Sequence, residues 1–214
     1  MIMIENAVKR YGKNCVLNNI SLQLEKGAIH GLIGRNGSGK TVLLKCIAGL
    51  SPLTSGHIFV YGREVGVDME IPPRMGAIIE TPGFLPTASG YANLRLLANI
   101  RGRIGKKEII AAMEQVGLDP GLKKHVSAYS LGMRQRLGIA QAIMEKPKLL
   151  LLDEPMNGLD NDGVGEMRRL FASLREKGCT ILLAGHNPTD IELLCDTVHE
   201  MDRGELKTIV KSST

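Results

Sequence analysis

One stretch of the chain has residue types and a spacing suited to binding phosphate. Residues 34–41, GRNGSGKT, match the pattern Gly-x-x-x-x-Gly-Lys-Ser/Thr, after an apolar strand-like segment and before a helix-like one. Glycines let consecutive backbone N–H groups turn toward phosphate oxygens, and the helix N-terminus adds its dipole. Lys40 can then reach the β- and γ-phosphates of a nucleotide, and the Thr41 hydroxyl can ligate Mg²⁺. The alternative, a chance glycine-rich turn, is disfavoured by both flanks.

A pair of carboxylates follows the apolar run at residues 149–152. Asp153 stands where a phosphate-loop protein places its Mg²⁺-side carboxylate, and Glu154 comes next, where it can polarise an attacking water. An ordinary acidic pair at a strand end is the alternative, and the phosphate loop favours the catalytic interpretation. The sequence has no Asn-Lys-x-Asp motif for guanine, so an ATPase is favoured over a GTPase.

A second candidate for phosphate binding contains no lysine. In YSLGMRQRLGIA, residues 129–140, Ser130 and Gly132 stand at the entrance to a helix-like pattern. A helix N-terminus with a hydroxyl and a glycine can bind an anion. Ser130 can equally serve as an N-cap. Since residues 34–41 already form a complete loop, this second segment needs its own explanation.

Length and composition favour one α/β domain with a subdomain. The chain has 214 residues, 43% of them hydrophobic, and no apolar run long enough to cross a membrane. No signal-peptide pattern is present at the start, so a cytosolic protein is expected. A net charge of +5 favours anionic partners, with a generally basic surface as the alternative. Aromatic residues make up only 3%, which disfavours binding of single-stranded nucleic acid.

The cysteines are expected to be structural. Cys15, Cys46, Cys179 and Cys195 are widely spaced, with no Cys-x-x-Cys pair. Cys46 and Cys179 lie in apolar stretches, so they are expected to pack in the core of a protein in a reducing compartment. A metal site built from them is not expected.

Hydrophobic periodicity predicts an α/β core that is interrupted by a helical insertion. Strands are predicted at residues 1–8, 19–25, 28–34, 56–62 (an edge strand), 76–80, 148–155 and 179–185, with a terminal hairpin at 197–210. Helices are predicted at residues 41–50, 90–102, 106–117, 130–146, 161–178 and 188–196. Residues 1–82 and 147–214 would form a β arm and the core, and residues 83–146 a helical subdomain.

With these motifs in this order, the sequence resembles the ATP-binding-cassette (ABC) ATPases, the motor subunits of ABC transporters, over essentially the whole chain. GRNGSGKT corresponds to the Walker A motif, LLLLDE to Walker B, and YSLGM to the signature, which is usually LSGGQ. The resemblance implies a single α/β domain with a P-loop NTPase (RecA-like) core, an antiparallel β arm and an inserted helical subdomain. It implies ATP and Mg²⁺ as cofactors.

The resemblance also implies roles for particular residues. Nucleotide contacts are implied for Tyr11, Arg35, Asn36, Gly37, Ser38, Gly39, Lys40, Thr41, Val42, Glu80, Ser130, Gly132 and Asp160. Catalytic roles are implied for Lys40, Glu154 and His186, and metal binding for Thr41, Asp153 and Glu80. Tyr11 would stack on adenine, with packing as the alternative. His186 would be the switch histidine; a structural hydrogen bond is the alternative, and the expected proximity of its strand to Walker B favours contact with the γ-phosphate.

The lysine-free segment is explained by the family's head-to-tail dimer. There the signature of one cassette closes over the ATP held by the other, so Ser130 and Gly132 would serve the partner's nucleotide, with Asp160 in the D-loop between them. A homodimer is expected. Leu131 and Met133 depart from the consensus Gly and Gln, but Ser130 and Gly132 match it.

Glu80 is a second departure, because the family generally has at this position a glutamine that senses Mg²⁺ and the membrane partner. The segments IIETPGF and YSLGMRQRLGIA resemble the bacitracin- and lantibiotic-type resistance and immunity exporters. The alternative is that Glu80 is a tolerated isostere with no bearing on cargo.

The implied function is ATP hydrolysis that drives a separate membrane permease, from the cytoplasmic face of the membrane and without membrane insertion. The expected cargo is a peptide antibiotic or similar amphiphile. The alternative is a soluble ABC ATPase acting on DNA or ribosomes, although the chain lacks a long coiled-coil insertion and a second cassette. A small-molecule kinase would have no use for the signature. The sequence leaves open the cargo, its direction and the choice between homodimer and heterodimer.

Overall fold

The computed structural model describes residues 2–209. Met1 and residues 210–214, which include the outer ends of two predicted strands, lie outside the described residues. Within that range the strands are β1 (Ile2–Tyr11), β2 (Asn14–Leu24), β3 (Ile29–Ile33), β4 (Ser55–Val60), β5 (Arg63–Glu64), β6 (Met75–Ile78), β7 (Leu149–Asp153), β8 (Thr180–Gly185), β9 (Thr197–Asp202) and β10 (Glu205–Ile209). The helices are α1 (Lys40–Ile47), α2 (Gly90–Arg101), α3 (Lys106–Gln115), α4 (Leu131–Ile143), α5 (Asn161–Glu176) and α6 (Pro188–Leu194), with a 3₁₀ turn at Val126–Ala128.

Two sheets form the framework. β2, β1, β4 and β5 make an antiparallel sheet in that order, which is the expected β arm. The second sheet has the order β10-β9-β3-β8-β7-β6. Its strands β9, β3, β8, β7 and β6 are parallel, and β10 returns antiparallel to β9. The α/β architecture with a parallel core sheet is the fold predicted from the sequence.

Strands β7 and β8 are buried on both faces, which explains their continuous apolar runs. Successive side chains point to opposite faces of a strand. Leu150 and Leu152 accordingly pack in the same cluster as helices α2 to α5, whereas Leu149 and Leu151 pack with α1 and the antiparallel sheet. The six-stranded sheet therefore separates two hydrophobic cores and is held rigidly between them.

The helices of residues 83–146 begin and end on residues suited to those positions. Ser89 accepts a hydrogen bond from the Ala92 N–H at the start of α2, and Gly102 ends that helix with φ +62°. Ser130 accepts from the Met133 N–H at the start of α4, so its expected role as an N-cap is confirmed. These caps satisfy backbone groups that helix ends otherwise leave exposed.

Helix α4 packs directly on the backbone of β6. A Cβ atom at Gly76 would overlap the carbonyl oxygen of Ala142, near the end of α4. At the middle of α4, a Cβ at Gly138 would lie 3.0 Å from Cγ of Pro82. Only glycine at position 76 allows such a close approach of helix and sheet, and Gly138 lets Pro82, in the loop after β6, pack closely on the helix.

The prediction of an edge strand at residues 56–62 is wrong in one respect. β4 pairs with β1 on one side and with the two-residue strand β5 on the other. Tyr61 and Gly62 both adopt positive φ, at +54° and +76°, which reverses the chain tightly enough for β5 to pair at once. Two residues carry no periodicity, so this strand could not be predicted from the sequence pattern.

The cysteines behave as expected for core residues. Cys46, Cys179 and Cys195 are buried, Cys15 is half-buried, and the four form no disulfide with one another. Burial raises the pKa of the Cys46 thiol to about 11 and that of Cys179 to about 12. Both thiols therefore stay protonated at neutral pH. Among residues 2–209, every helix is too short or too polar to cross a bilayer.

Candidate active site

The predicted residues that follow β3, β7 and β8 gather at the carboxyl edge of the parallel sheet. β3 leads into the glycine-rich loop and α1, β7 ends at Asp153, and β8 ends one residue before His186. β7 and β8 are neighbours, as expected. Open α/β sheets bind ligands at this edge, because the loops that follow the strands converge there.

The loop before α1 has the shape of an anion cradle. Gly37 and Gly39 have φ of +80° and +109°, values that L side chains rarely adopt. No side chain caps the start of α1, so its first N–H groups are left for an anion to bind. Lys40 is only 6% exposed. Its ammonium donates to the carbonyl oxygens of Gly34, at 2.6 Å, and Arg35, at 3.1 Å, which holds the charge over the loop.

The hydroxyl of Ser38 is buried without a hydrogen-bond partner among the described residues. Ser38 is 4% exposed. An orphaned buried hydroxyl costs free energy, unless a ligand supplies the missing partner. A phosphate oxygen in the loop would be such a partner, so the residues present fit a nucleoside triphosphate.

Thr41 and Asp153 bring two oxygens together at the same place. The Thr41 hydroxyl donates to Oδ2 of Asp153 at 2.6 Å. Both residues, with Lys40, Val42 and Glu154, line a cavity of about 360 Å³ that also includes residues 36–39. A hydroxyl and a carboxylate side by side are the oxygen ligands that Mg²⁺ takes next to substrate phosphates.

Glu154 is held on a strained backbone. Its φ is +49°, which is uncommon for a residue with a side chain. Its N–H donates to the Ala184 carbonyl at 2.9 Å, and the Gln135 amide donates to the carbonyl oxygens of Glu154, at 3.4 Å, and Pro155, at 3.0 Å. His186 Nδ1 lies 2.9 Å from both carboxylate oxygens. The carboxylate is thus fixed where α4, β7 and β8 meet.

Glu80 lies at the edge of this arrangement. It lines a second cavity, of about 530 Å³, together with Asp153 and Glu154. Its carboxylate accepts from Lys45 of α1 at 2.6 Å, and its φ is +61°. The Lys45–Glu80 ion pair links the loop before the helical segment to the helix that follows the phosphate loop.

The other predicted residues lie outside the 360 Å³ cavity. Tyr11 is 51% exposed, and its ring lies 4.9 Å from the Lys9 ammonium. Val16, which was not predicted, lines the cavity instead. Arg35 and His186 line a neighbouring cavity of about 860 Å³. Ser130, Gly132 and Asp160 line neither; Asp160 caps α5 by accepting from the Gly163 N–H at 2.9 Å.

Three contacts of the site were missed by sequence reasoning. Gln135 and Lys45 contact Glu154 and Glu80 through distant parts of the chain, and Val16 reaches the cavity from β2. Gln135 follows the Ser130 cap at a fixed helical offset, which is the one signal that could have drawn attention to it. The other two carry no local signal.

Fold and site together define a P-loop nucleotide-binding protein. The family model described as ABC transporter matches residues 17–157. The chain is 44% identical over 208 residues to the bacitracin transport ATP-binding protein of Enterococcus faecalis, covering 96% of this chain and 68% of that protein. It is 38% identical over 207 residues to a lantibiotic transport ATP-binding protein of Streptococcus pyogenes, covering 96% and 89%. The chain therefore belongs to the ATP-binding subunits of ABC transporters and is an ATPase.

Solved structures agree on the fold. The bacterial ABC transporter cassette MJ0796, in a dimeric structure, superposes with a TM-score of 0.89 at 21% identity, over 100% of both chains. A dimeric post-hydrolysis state of the same cassette, bound to ADP and Pi, gives a TM-score of 0.88 at 21% identity, also over 100% of both chains.

Proposed function

We propose that the cavity around residues 36–42 binds ATP with Mg²⁺ and that Glu154 activates the attacking water. The observation that carries this proposal is the 2.6 Å contact between Thr41 and Asp153 in a cavity that Lys40 and Glu154 also line. Lys40 would turn from its loop carbonyls to the β- and γ-phosphates. Mg²⁺, held by Thr41 and Asp153, would neutralise charge on the phosphates.

Glu154 suits the role of general base because its position is fixed and its carboxylate borders the cavity. His186 Nδ1 can donate to that carboxylate and hold it toward the water. His186 is itself exposed, so its ring can also reach a γ-phosphate in the closed enzyme. In either role, His186 would act beside the terminal phosphate, by orienting the Glu154 carboxylate or by contacting the phosphate itself.

The exposure of Ser130 supports a second contribution, to a partner's nucleotide. Its hydroxyl and the start of α4 face solvent outside the cavity. We infer that two copies pair head to tail, so that Ser130 and Gly132 of one chain close over the phosphate loop of the other, with Asp160 at the junction. Neutral donors at a helix N-terminus suit a γ-phosphate whose charge Lys40 and Mg²⁺ already offset.

The helical segment is the proposed docking site of a separate membrane permease. Leu96 and Ile100 lie four residues apart on α2 and are exposed, as is Leu85 in the preceding loop. Exposed apolar residues grouped in this way are typical of interaction surfaces. The nearby Lys45–Glu80 pair would connect this surface to the helix of the phosphate loop.

We infer that the transported substrate is a peptide antibiotic or a similar amphiphile and that the chain works at the cytoplasmic face of the cell membrane. This inference rests on the bacitracin and lantibiotic transport proteins to which the chain is 44% and 38% identical. Both are transport proteins, which favours transport over action on DNA or ribosomes.

The substitution Glu154→Gln tests the catalytic assignment. Glutamine has nearly the size of glutamate and must adopt the same left-handed backbone, but it cannot act as a base. ATP binding should therefore persist while hydrolysis falls by about 10²-fold or more. Because product no longer forms, the variant should accumulate as an ATP-bound dimer in gel filtration with ATP and Mg²⁺. Glu166→Gln, which changes a carboxylate at the Arg136 ion pair away from the cavity, is the control. A monomeric Glu154→Gln variant with intact turnover would overturn the assignment.

A further inference from the structure

A cavity on the opposite side of the molecule combines a cationic rim with an apolar floor. It has a volume of about 620 Å³ and lies where the amino ends of β3, β6, β7 and β8 meet α3 and the carboxyl ends of α4 and α5. We call it the cationic cavity. Its cations are Lys26, Arg74, Lys107, Lys146, Lys148 and Lys177.

These cations are poorly compensated. The only carboxylate on the described lining is Glu108. It accepts from the Gly105 N–H at 2.9 Å, a bond that lowers its pKa, and the nearby charges of Lys146 and Lys107 lower it further. Six cations and one carboxylate give +5, equal to the net charge of the whole chain. Within residues 2–209 none of the six forms an ion pair or a side-chain hydrogen bond. Their mutual repulsion would be relieved by a bound anion.

Two of the cations occupy unfavourable backbone conformations. Arg74 and Lys146 have φ of +54° and +49°, where glycine or asparagine is the ordinary occupant. Both are fixed by backbone hydrogen bonds, from the Lys148 N–H to the Arg74 carbonyl at 2.8 Å and from the Lys146 N–H to the Ile143 carbonyl at 2.9 Å. The chain thus has charged residues at two rim positions where a left-handed backbone favours glycine or asparagine.

The floor of the cavity is apolar. Ile143, Met144 and Cys179 are buried there, and Leu174 is half-buried. A volume of about 620 Å³ is typical of small-molecule sites, which are mostly apolar with a few charged groups that orient the ligand. Five of the six cations are lysines, which bind phosphate groups as point charges.

We propose that the cationic cavity binds an anion that carries two or more phosphate charges and an apolar group. A soluble phosphate ester and an acidic phospholipid headgroup share this chemistry. Since α3 and the edge of the six-stranded sheet both line the cavity, the ligand would tie the helical segment to the core. This site is separate from the phosphate loop, and the proposal does not depend on the function assigned above.

The test compares two double variants that each remove two exposed lysines. Lys107→Gln/Lys148→Gln alters the cavity, and Lys13→Gln/Lys123→Gln is the charge-matched control elsewhere on the surface. Calorimetric titration with tripolyphosphate in ~0.15 M salt, where exposed charges are largely screened, should give one site fewer in the cavity variant than in the control, or about tenfold weaker binding there. Sedimentation with vesicles that contain phosphatidic acid, whose phosphomonoester headgroup can carry two negative charges, against phosphatidylcholine vesicles gives the lipid arm.

Each outcome decides the proposal. Loss of tripolyphosphate binding only in the cavity variant supports a soluble ligand, and loss of vesicle binding only in that variant supports a lipid headgroup. Equal weakening in both double variants, or no change with either probe, overturns the proposal. Lys146→Asn guards against misfolding: asparagine suits the left-handed backbone, so the ligand-free melting temperature should be kept while binding falls several-fold. Tripolyphosphate binding at the phosphate loop should be the same in all variants, so failure of the proposed ATP site would affect all of them equally and can be told apart from loss of the cationic cavity.

Discussion

Two carboxylates of the candidate active site, Glu80 and Glu154, lie on left-handed backbone, with φ of +61° and +49°. A residue with a side chain pays roughly 1–2 kcal/mol for this conformation. The surrounding contacts offset part of that cost: Glu154 through its backbone hydrogen bonds, Glu80 through Lys45. Strain of this kind is typical of functional positions, because it aims a side chain where a relaxed backbone would not.

Glu80→Gln is expected to shift the Mg²⁺ dependence of ATP hydrolysis and to impair coupling to transport. A carboxylate near the γ-phosphate adds negative charge that penalises closure until Mg²⁺ is present, whereas an amide offers a neutral oxygen. ATP binding and basal hydrolysis should stay within several-fold. Since the Lys45–Glu80 pair is largely exposed, its loss should change the free energy of unfolding by about 1 kcal/mol or less. Glu80→Ala should lose coupling more completely.

The measurements are the ATPase rate against Mg²⁺ concentration and peptide-antibiotic resistance in cells that carry the membrane subunit. Lys45→Gln is the matched control, because it breaks the same ion pair and keeps the Glu80 carboxylate. A Mg²⁺ shift shared by both variants would assign the effect to the ion pair. If the glutamine and alanine variants match the parent in both assays, Glu80 is only a spacer.

The motif residues could be predicted individually because each stands at a fixed offset from a glycine-rich turn or a buried strand. Lys40, Thr41, Asp153 and Glu154 do share one cavity. Gln135 and Lys45 could not be predicted, because their contacts depend on how α4 and α1 pack rather than on local sequence. The positive φ of Glu154 likewise has no signal in its residue type.

At the scale of elements, the strands β3, β9 and β10 are joined by a chain of hydrogen-bonding side chains that the sequence left unassigned, and its two histidines, His30 and His199, are buried. His30 Nδ1 lies 2.7 Å from the Thr197 hydroxyl, which lies 3.3 Å from His199 Nε2, and His199 Nδ1 lies 3.2 Å from the Thr208 hydroxyl. Burial lowers the pKa of His30, and burial with the nearby His30 lowers that of His199 to about 4. Both histidines are therefore neutral at pH 7.

The protein is expected to lose stability as the pH falls from about 6.5 to about 4. In that window an unfolded histidine, with a pKa near 6.5, binds a proton that folded His199 does not, so protonation favours unfolding. Above pH 6.5 both states are neutral and the effect is absent. A pKa of about 4 corresponds to a loss of up to roughly 3 kcal/mol. His199→Gln, which does not titrate, should flatten this part of the pH profile.

Urea unfolding at pH 7, 6, 5 and 4 measures the effect. His57→Gln is the control: His57 is exposed, and its hydrogen bond to Glu64 raises its pKa. The His57→Gln variant should still lose stability as the pH falls from about 6.5 to about 4. A His199→Gln profile that parallels the parent would show that other groups govern acid unfolding.

Elements with strong periodicity were predictable, whereas the short strand β5, which is set by a turn, was not. The parallel strands carry apolar runs bounded by turn residues, so their positions and type follow from pattern alone. β5 is two residues long and exists because the Tyr61-Gly62 turn reverses the chain. The terminal hairpin of β9 and β10 was predicted from the sequence, but the pairing of β9 with β3, which brings His30 and His199 together, has no local signal.

At the scale of the whole molecule, Lys40 and Ser130 lie in different surroundings, one in the phosphate cavity and one on the exposed start of α4. If Ser130 serves a partner's nucleotide, Lys40→Ala and Ser130→Arg chains should each be inactive alone. Mixed, they form a heterodimer with one intact and one doubly damaged site. About a quarter of the parent activity should return if the two sites of a symmetric dimer act independently.

The matched control carries Lys40→Ala and Ser130→Arg in one chain and is mixed with parent protein. Every site of that heterodimer has one lesion, so no activity beyond that of the parent homodimers is expected. Failure of the complementing mixture to regain activity, together with cysteines at Ser38 and Ser130 that crosslink only within one chain in the presence of ATP, would contradict the paired arrangement.

The carboxyl end of α4 packs on β6, so a small rotation at that end moves the other end of the helix by a larger distance. Gly76 lets the carboxyl end of α4 bear directly on the strand backbone, so this end serves as a fulcrum. At the other end Ser130 is exposed, next to Leu131 and Gly132, which pack against Gly158. Thirteen residues at 1.5 Å each give an arm of about 20 Å. A rotation of ~10° about the fulcrum then moves Ser130 by ~3.5 Å, more than the length of a hydrogen bond. If Ser130 contacts a partner's nucleotide as proposed, a small tilt at the sheet would make or break that phosphate contact.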